Sequence, residues 1–194
     1  YTTNGSIPEE NSGLVYSEPL TIGQTMVLRA RAFKKGMAPS KIKTRTFLFP
    51  EDIIRQSPDG LPPEGFPFAW GPNRVDYGMD QRIVNDPAYR DEIIDGFKSL
   101  PAYSIVTEMK HLFDAEDGIY ANARNDGREW ERPASVELLH SDKRDGFQID
   151  CGIRIRGGFS RMPNNPKHAF RLFFRKEYGD SKLKYRLFGK DGAK

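Results

Sequence analysis

The chain has 194 residues, with 30 Lys and Arg against 27 Asp and Glu and a net charge of +3, so it lacks the strong basic field that drives sequence-independent nucleic-acid binding. Hydrophobic residues make up 37% and aromatics 12%, too apolar for a disordered chain, and a single cysteine excludes an internal disulfide framework and a Cys-rich zinc site. No apolar run approaches the roughly 20 residues that a membrane-spanning helix requires.

The sequence opens at Tyr1 in a strand-like stretch and stops at Lys194 without a domain-ending signal, so it reads as a piece of a longer protein. Residues 1–49 alternate short strands with turns. Asn4-Gly5 and Ser12-Gly13 mark turns, residues 26–33 alternate in size and polarity, Lys34-Lys35-Gly36 reverses the chain, and residues 43–48 supply a last strand. This pattern predicts a small antiparallel β-sandwich, incomplete at its N-terminal side. Residues 50–80 carry Pro50, Pro58, Pro62, Pro63, Pro67 and Pro72 among several glycines, which forbid long regular elements. They read as a connecting segment that packs along a domain surface through Phe66, Phe68, Trp70 and Tyr77, with one helical turn at 52–55.

Residues 81–194 carry clearer signals. Asn85 or Asp86 is placed to cap a helix with Pro87 in its first turn and Ile93, Ile94 and Phe97 on its apolar face, stopped by Leu100-Pro101. A short strand follows at 102–107, a helical turn at 109–113, and a hairpin of strands at 133–139 and 147–156. The fold class is therefore α+β, a small antiparallel β-sandwich followed by a β-rich α+β domain.

Two alternating strands flank the most chemically suggestive stretch. Arg154 and Arg156 fall on one strand face, the chain turns at Gly157-Gly158 with Ser160 and Arg161 close by, and Lys167 precedes the next strand, which starts near His168. Backbone N–H groups of a Gly turn form an anion nest, and a lysine adds a point charge, so a phosphate grip and a plain solvated hairpin are both consistent with these residues. The acidic run from Asp114 to Gly118 lacks EF-hand spacing and reads as a solvated turn. The run from Gly127 to Arg132 reads as a polar clasp around Trp130, although an exposed tryptophan there would also stack on a sugar. His111, His140 and His168 lack metal-site spacing, and Cys151 reads as a small buried residue.

Two resemblances extend this reading. Residues 1–8, the step from Tyr16 to Leu20 and the strand 27–33 resemble the chitobiase/β-hexosaminidase C-terminal-type module, an Ig-like accessory sandwich of secreted bacterial enzymes. Residues 100–107, Leu112-Phe113, residues 118–120, residues 127–133 and above all the stretch from Arg156 to Arg171 are similar to the N-terminal part of CotH-type atypical protein kinases. That resemblance implies an extracellular or cell-surface protein whose intact form uses ATP with Mg or Mn to phosphorylate Ser or Thr of a partner protein. It implies Gly157, Gly158 and Ser160 as the turn over the phosphates, Lys167 as the phosphate-pairing lysine and Arg156 as a supporting cation. The family's catalytic and metal-binding aspartates lie beyond the span matched here, so no catalytic or metal residue is assigned. The alternative is a non-catalytic extracellular binding or structural module that presents Trp70 and Trp130 to a polysaccharide or a cell-surface protein, or its edge strands to a surface layer or filament.

Overall fold

A computed structural model describes residues 1–70, 72–142 and 144–189. Gly71 of the connecting segment, Lys143 of the charged hairpin loop and the last five residues of the stretch 81–194 lie outside the described residues.

The N-terminal part centres on an antiparallel ribbon of β1 (Met26–Ala30) and β2 (Lys43–Phe47), in register from Met26 opposite Phe47 to Ala30 opposite Lys43. The first residues join its outer edge, Thr2 bridging Arg29 and Asn4 bridging Val27. The regular ladder is thus one ribbon with bridged flanks, narrower than the strand count suggested. Between β1 and β2 Ser40 closes the loop, its Oγ accepting the Ala32 N–H at 2.9 Å and its N–H donating to the Ala32 carbonyl at 3.0 Å.

The connecting segment begins with α1 (Pro50–Ile53), one turn with proline at its start, and then makes a two-residue hairpin of β3 (Ala69–Trp70) and β4 (Asn73–Arg74). Trp70 anchors it, its ring 5.0 Å from Tyr120 edge-on and 5.7 Å from Phe113. Of the four aromatics expected to pack this segment, Trp70 packs outside it, Phe66 and Tyr77 meet edge-on at 5.4 Å, and Phe68 stays exposed.

The helix expected to start at Asn85 or Asp86 is shorter and displaced. Asp80, whose carboxylate accepts the Arg82 N–H at 2.9 Å, caps α2 (Gln81–Val84) instead. The Asp86 carboxylate accepts the Ala88 N–H at 2.8 Å and closes a local turn rather than a helix start. The third helix, α3 (Ile93–Ser99), begins only afterwards and ends before Pro101.

The main body is a four-stranded antiparallel sheet in chain order, β5 (Ala102–Val106), β6 (Arg132–Leu139), β7 (Phe147–Arg156) and β8 (Ala169–Phe173). Pairing places Val136 opposite Ile149, Ala134 opposite Cys151 and Ile153 opposite Leu172. Because side chains alternate, these residues and Ile155 share one face. That face is the core, covered by Leu112 of α4 (Met109–Phe113) and by Ile119, Tyr120 and Ala123 of the segment after it. Val136, Cys151 and Ile153 are fully buried, and burial pushes the Cys151 thiol up to about 12, as an inert core residue requires.

The opposite face is polar. Ser104, Ser135, Glu137, Asp150, Arg154, Arg156 and Arg171 all project there by register. The N-terminal ribbon docks across its first half. Glu137, almost wholly buried, accepts Arg45 Nη1 at 2.6 Å and the Thr46 N–H at 2.8 Å, while Thr46 and Ser104 share a hydroxyl hydrogen bond of 2.7 Å. The arginines remain at the far end of the same face.

Candidate functional site

The connection from β7 to β8 is not a tight hairpin. Gly157 takes φ +113°, a conformation that side-chain-bearing residues avoid, and then Phe159–Arg161 winds into a single 3-10 turn. An added Cβ at Gly157 would sit 1.9 Å from Ser160 Oγ, so only glycine fits with Ser160 in place. Ser160 Oγ donates to the Arg156 carbonyl at 3.1 Å. Buried His168 donates its Nδ1–H to the Ser160 carbonyl at 2.6 Å, and the Arg161 guanidinium reaches the Ile155 carbonyl at 2.7 Å. The turn is held at both ends by side chains that the sheet positions.

Beside it opens a cavity of about 410 Å³ lined by Arg154, Arg156, Gly157, Arg161 and Arg171, with Asp126 on its wall. Register explains the cluster: Arg154 lies opposite Arg171 across the β7–β8 pair, and Arg156 is two residues on along the same face. Arg154 sits over Phe173, its guanidinium carbon 3.9 Å from the ring centre, a cation–π contact that helps hold it in place. Asp126 Oδ1 lies 3.7 Å from Arg154 and 3.5 Å from Arg161. A backbone hydrogen bond from Gly127 and the Arg161 charge hold the Asp126 carboxyl below the usual carboxylate range. Four guanidiniums facing one carboxylate leave a surplus of positive charge at the cavity wall.

Behind the arginines lies a buried anchor. The Glu131 side chain is 1% exposed, accepts Arg175 through two contacts of 2.8 and 3.2 Å, and stands 3.6 Å from Arg154 Nε. Gly152 makes this possible, because a Cβ there would lie 2.5 Å from Glu131 Oε1. Burial pushes the Glu131 carboxyl up, but hydrogen bonds from Arg175 and Tyr178 with the neighbouring guanidiniums outweigh it, so it titrates below the usual carboxylate range.

Of the residues that the sequence singled out, Arg156 and Gly157 line the cavity and Gly158 stands exposed next to it. Ser160 is placed beneath the turn, with its hydroxyl engaged by the Arg156 carbonyl. Lys167 is exposed, does not line the cavity, and its backbone N–H is held by Asn165 Oδ1 at 3.2 Å. Arg154, Arg161, Arg171 and Asp126 complete the site; the shared face of Arg154 and Arg156 and the nearness of Arg161 to the glycine turn were the sequence signals for it.

The other motifs resolve as structure. Asp114 accepts the Glu116 and Asp117 N–H groups, both at 2.9 Å, in an ordinary acidic turn. Arg132 grips the Asp117 carbonyl at 2.7 and 3.0 Å and covers Trp130 at 5.3 Å, so the clasp closes on its own tryptophan. Trp70 and Trp130 are both engaged in internal packing. Among the described residues, no group of three or more His, Cys, Asp or Glu side chains is placed to hold a metal ion, and no helix is long and apolar enough to cross a membrane.

No curated protein and no solved structure matches the chain significantly. Residues 1–44 match the family model of the chitobiase/beta-hexosaminidase C-terminal domain, a span that takes in the bridging first residues, β1 and the first two residues of β2.

Proposed function

We propose that the chain supplies the phosphate-facing part of a CotH-type protein kinase, whose intact form transfers phosphate from ATP, with magnesium or manganese, to Ser or Thr of a partner protein outside the cell or at its surface. The supporting observation is the cavity in which Arg154, Arg156, Arg161 and Arg171 converge beside a glycine turn. Planar guanidiniums match phosphate oxygens in paired hydrogen bonds, and a wall pre-oriented by Phe173 and Glu131 costs little reordering on binding.

In this reading Arg156 and Arg171, both exposed and without side-chain partners among the described residues, make the first contact with a polyphosphate, while Arg154 and Arg161 hold the inner wall. Gly157 keeps the turn close to the wall. The grip assigned by resemblance to Lys167 passes to Arg171. A divalent metal would neutralise phosphate charge during transfer, but the described residues do not provide a carboxylate set that fits one, and no step is routed through it.

Titration of the chain with tripolyphosphate and ATP, read by calorimetry, tests the proposal. Arg156→Ala and Arg171→Ala are each expected to weaken binding by about tenfold, the scale of a charge-assisted hydrogen bond. Lys167→Ala is expected to leave affinity unchanged. Absence of binding, or binding indifferent to both arginines, would sink the assignment.

A further inference from the structure

A second cavity of about 410 Å³ lies between the N-terminal ribbon and the polar sheet face, and it shares no lining residue with the arginine cavity. From the ribbon side it receives Arg29. This residue is 9% exposed, and burial draws its guanidinium below the usual arginine value. Among the described residues its side chain makes one hydrogen bond, Nη1–H to the Gly5 carbonyl at 3.1 Å, and has no carboxylate within ion-pair distance; its buried Nε–H has no acceptor. A guanidinium in this state is costly; Nε is sealed from the cavity, but Nη2, also without a partner among the described residues, is left for an acceptor arriving there.

We propose that this cleft binds a carboxylated sugar unit, a uronate, with its carboxylate on Arg29 and its hydroxyls on the surrounding polar wall. The charge around the cavity selects one negative charge rather than two. Arg31, Lys41 and Lys176 add cations at the rim, but Glu108, Asp150 and Glu177 also line it, and a dianionic phosphate would face all three. Those same carboxylates are natural acceptors for sugar hydroxyls.

The remaining wall offers neutral polar groups. Thr107 Oγ1 donates to the Pro133 carbonyl at 2.7 Å and so accepts His111 Nδ1–H at 2.9 Å, which leaves His111 Nε2, 3.6 Å from Glu108 Oε2, without a proton in the neutral form. Burial lowers the His111 pKa and favours that form. Burial and the neighbouring Glu131 push the Tyr178 hydroxyl up to about 12, so it keeps its proton, donates it to Glu131 and offers the cleft an acceptor. Ser40 and Ser135 line the cleft as well. One buried cation with a ring of hydroxyls, neutral imidazole and carboxylates matches a sugar acid better than a bare anion. This inference is independent of the kinase reading, since neither site borrows a residue from the other.

The deciding measurement is the Arg29 Nε–H resonance of the ¹⁵N-labelled chain during titration with glucuronate, glucose, acetate and inorganic phosphate in parallel. A saturable shift with glucuronate, at least tenfold tighter than with acetate or glucose, is the expected result. Lys176→Gln should weaken it a few-fold, and Arg29→Gln should abolish glucuronate-induced shifts at His111. No saturable shift, equal response to acetate, or tighter response to phosphate at this resonance would each overturn the proposal. Should Arg29→Gln fail to fold, the titration of the unsubstituted chain still decides, and phosphate bound at the arginine cavity does not register at Arg29.

Discussion

Asp126 is the internal competitor of the anion that the arginine cavity is built to receive. It stands within 4 Å of both Arg154 and Arg161 yet is itself largely exposed, so it neutralises the wall without being required by the core. Asp126→Asn is expected to tighten tripolyphosphate binding a few-fold, most clearly at low salt, because one screened charge is removed. A loss of affinity by calorimetry would mean that Asp126 orients the arginines more than it opposes the ligand. Gly157 permits an equally sharp comparison. Gly157→Ala forces an unfavourable φ and displaces Ser160 Oγ from the Arg156 carbonyl, at a cost of about 1–3 kcal/mol. Gly158→Ala meets no atom within 4 Å and should cost less than about 0.5 kcal/mol in the same urea titration. Glu131 sets an acid limit. Its folded-state pKa lies below its unfolded value of about 4.3, so the unfolded chain binds the proton more readily. The stabilisation is therefore complete above that value and is lost as pH falls through the folded pKa. Glu131→Gln should flatten the acid side of the stability profile and destabilise the chain by about 3 kcal/mol at neutral pH, the scale for breaking a buried ion pair.

At the scale of elements, β7 is the strand on which everything converges, since its odd-numbered residues make the core and its even-numbered ones carry Asp150, Arg154 and Arg156. Ile153→Ala, at a fully buried position, is expected to cost about 2–5 kcal/mol in thermal or chemical unfolding. The same alternation made β6 and β7 legible in the sequence almost to the residue, and the succession of turn-separated strands with short helices between them made the α+β class legible. Helix starts were less so. Asp80, Asn85 and Asp86 are all competent caps, and the residues that cap a helix are also those that close local turns, so composition could not decide that Asp80 starts α2 while Asp86 makes a turn. The cavity was half legible. Arg154 and Arg156 share a face by strand periodicity, but Arg171 joins them only through the β7–β8 register, and Asp126 comes from a segment with no periodicity. Lys167 was singled out for its place before β8, and the 3-10 turn and following loop place it outside the cavity.

For the molecule as a whole, Glu137 is the rivet between the N-terminal ribbon and the sheet. Its two oxygens take Arg45 and the Thr46 N–H, and both partners belong to β2. Glu137→Ala should strip that attachment while leaving the β7–β8 pair intact. Amide exchange in residues 43–47 is expected to accelerate by at least tenfold with little change around Ile153, and uniform acceleration would show that ribbon and sheet unfold as one unit. The same variant should loosen the cleft that holds Arg29, because that cleft exists only where the ribbon lies against the sheet.

Cys151 turns this architecture into a clock. It is the only thiol in the chain, lies at the centre of the sheet with no exposed surface, and opposes Ala134 of β6. A thiol-reactive dye therefore gains access only when β6 and β7 separate. Its labelling rate in the untouched protein reports how often the sheet opens, so Ile153→Ala and Glu131→Gln should speed it and Glu137→Ala should not, without any engineered probe.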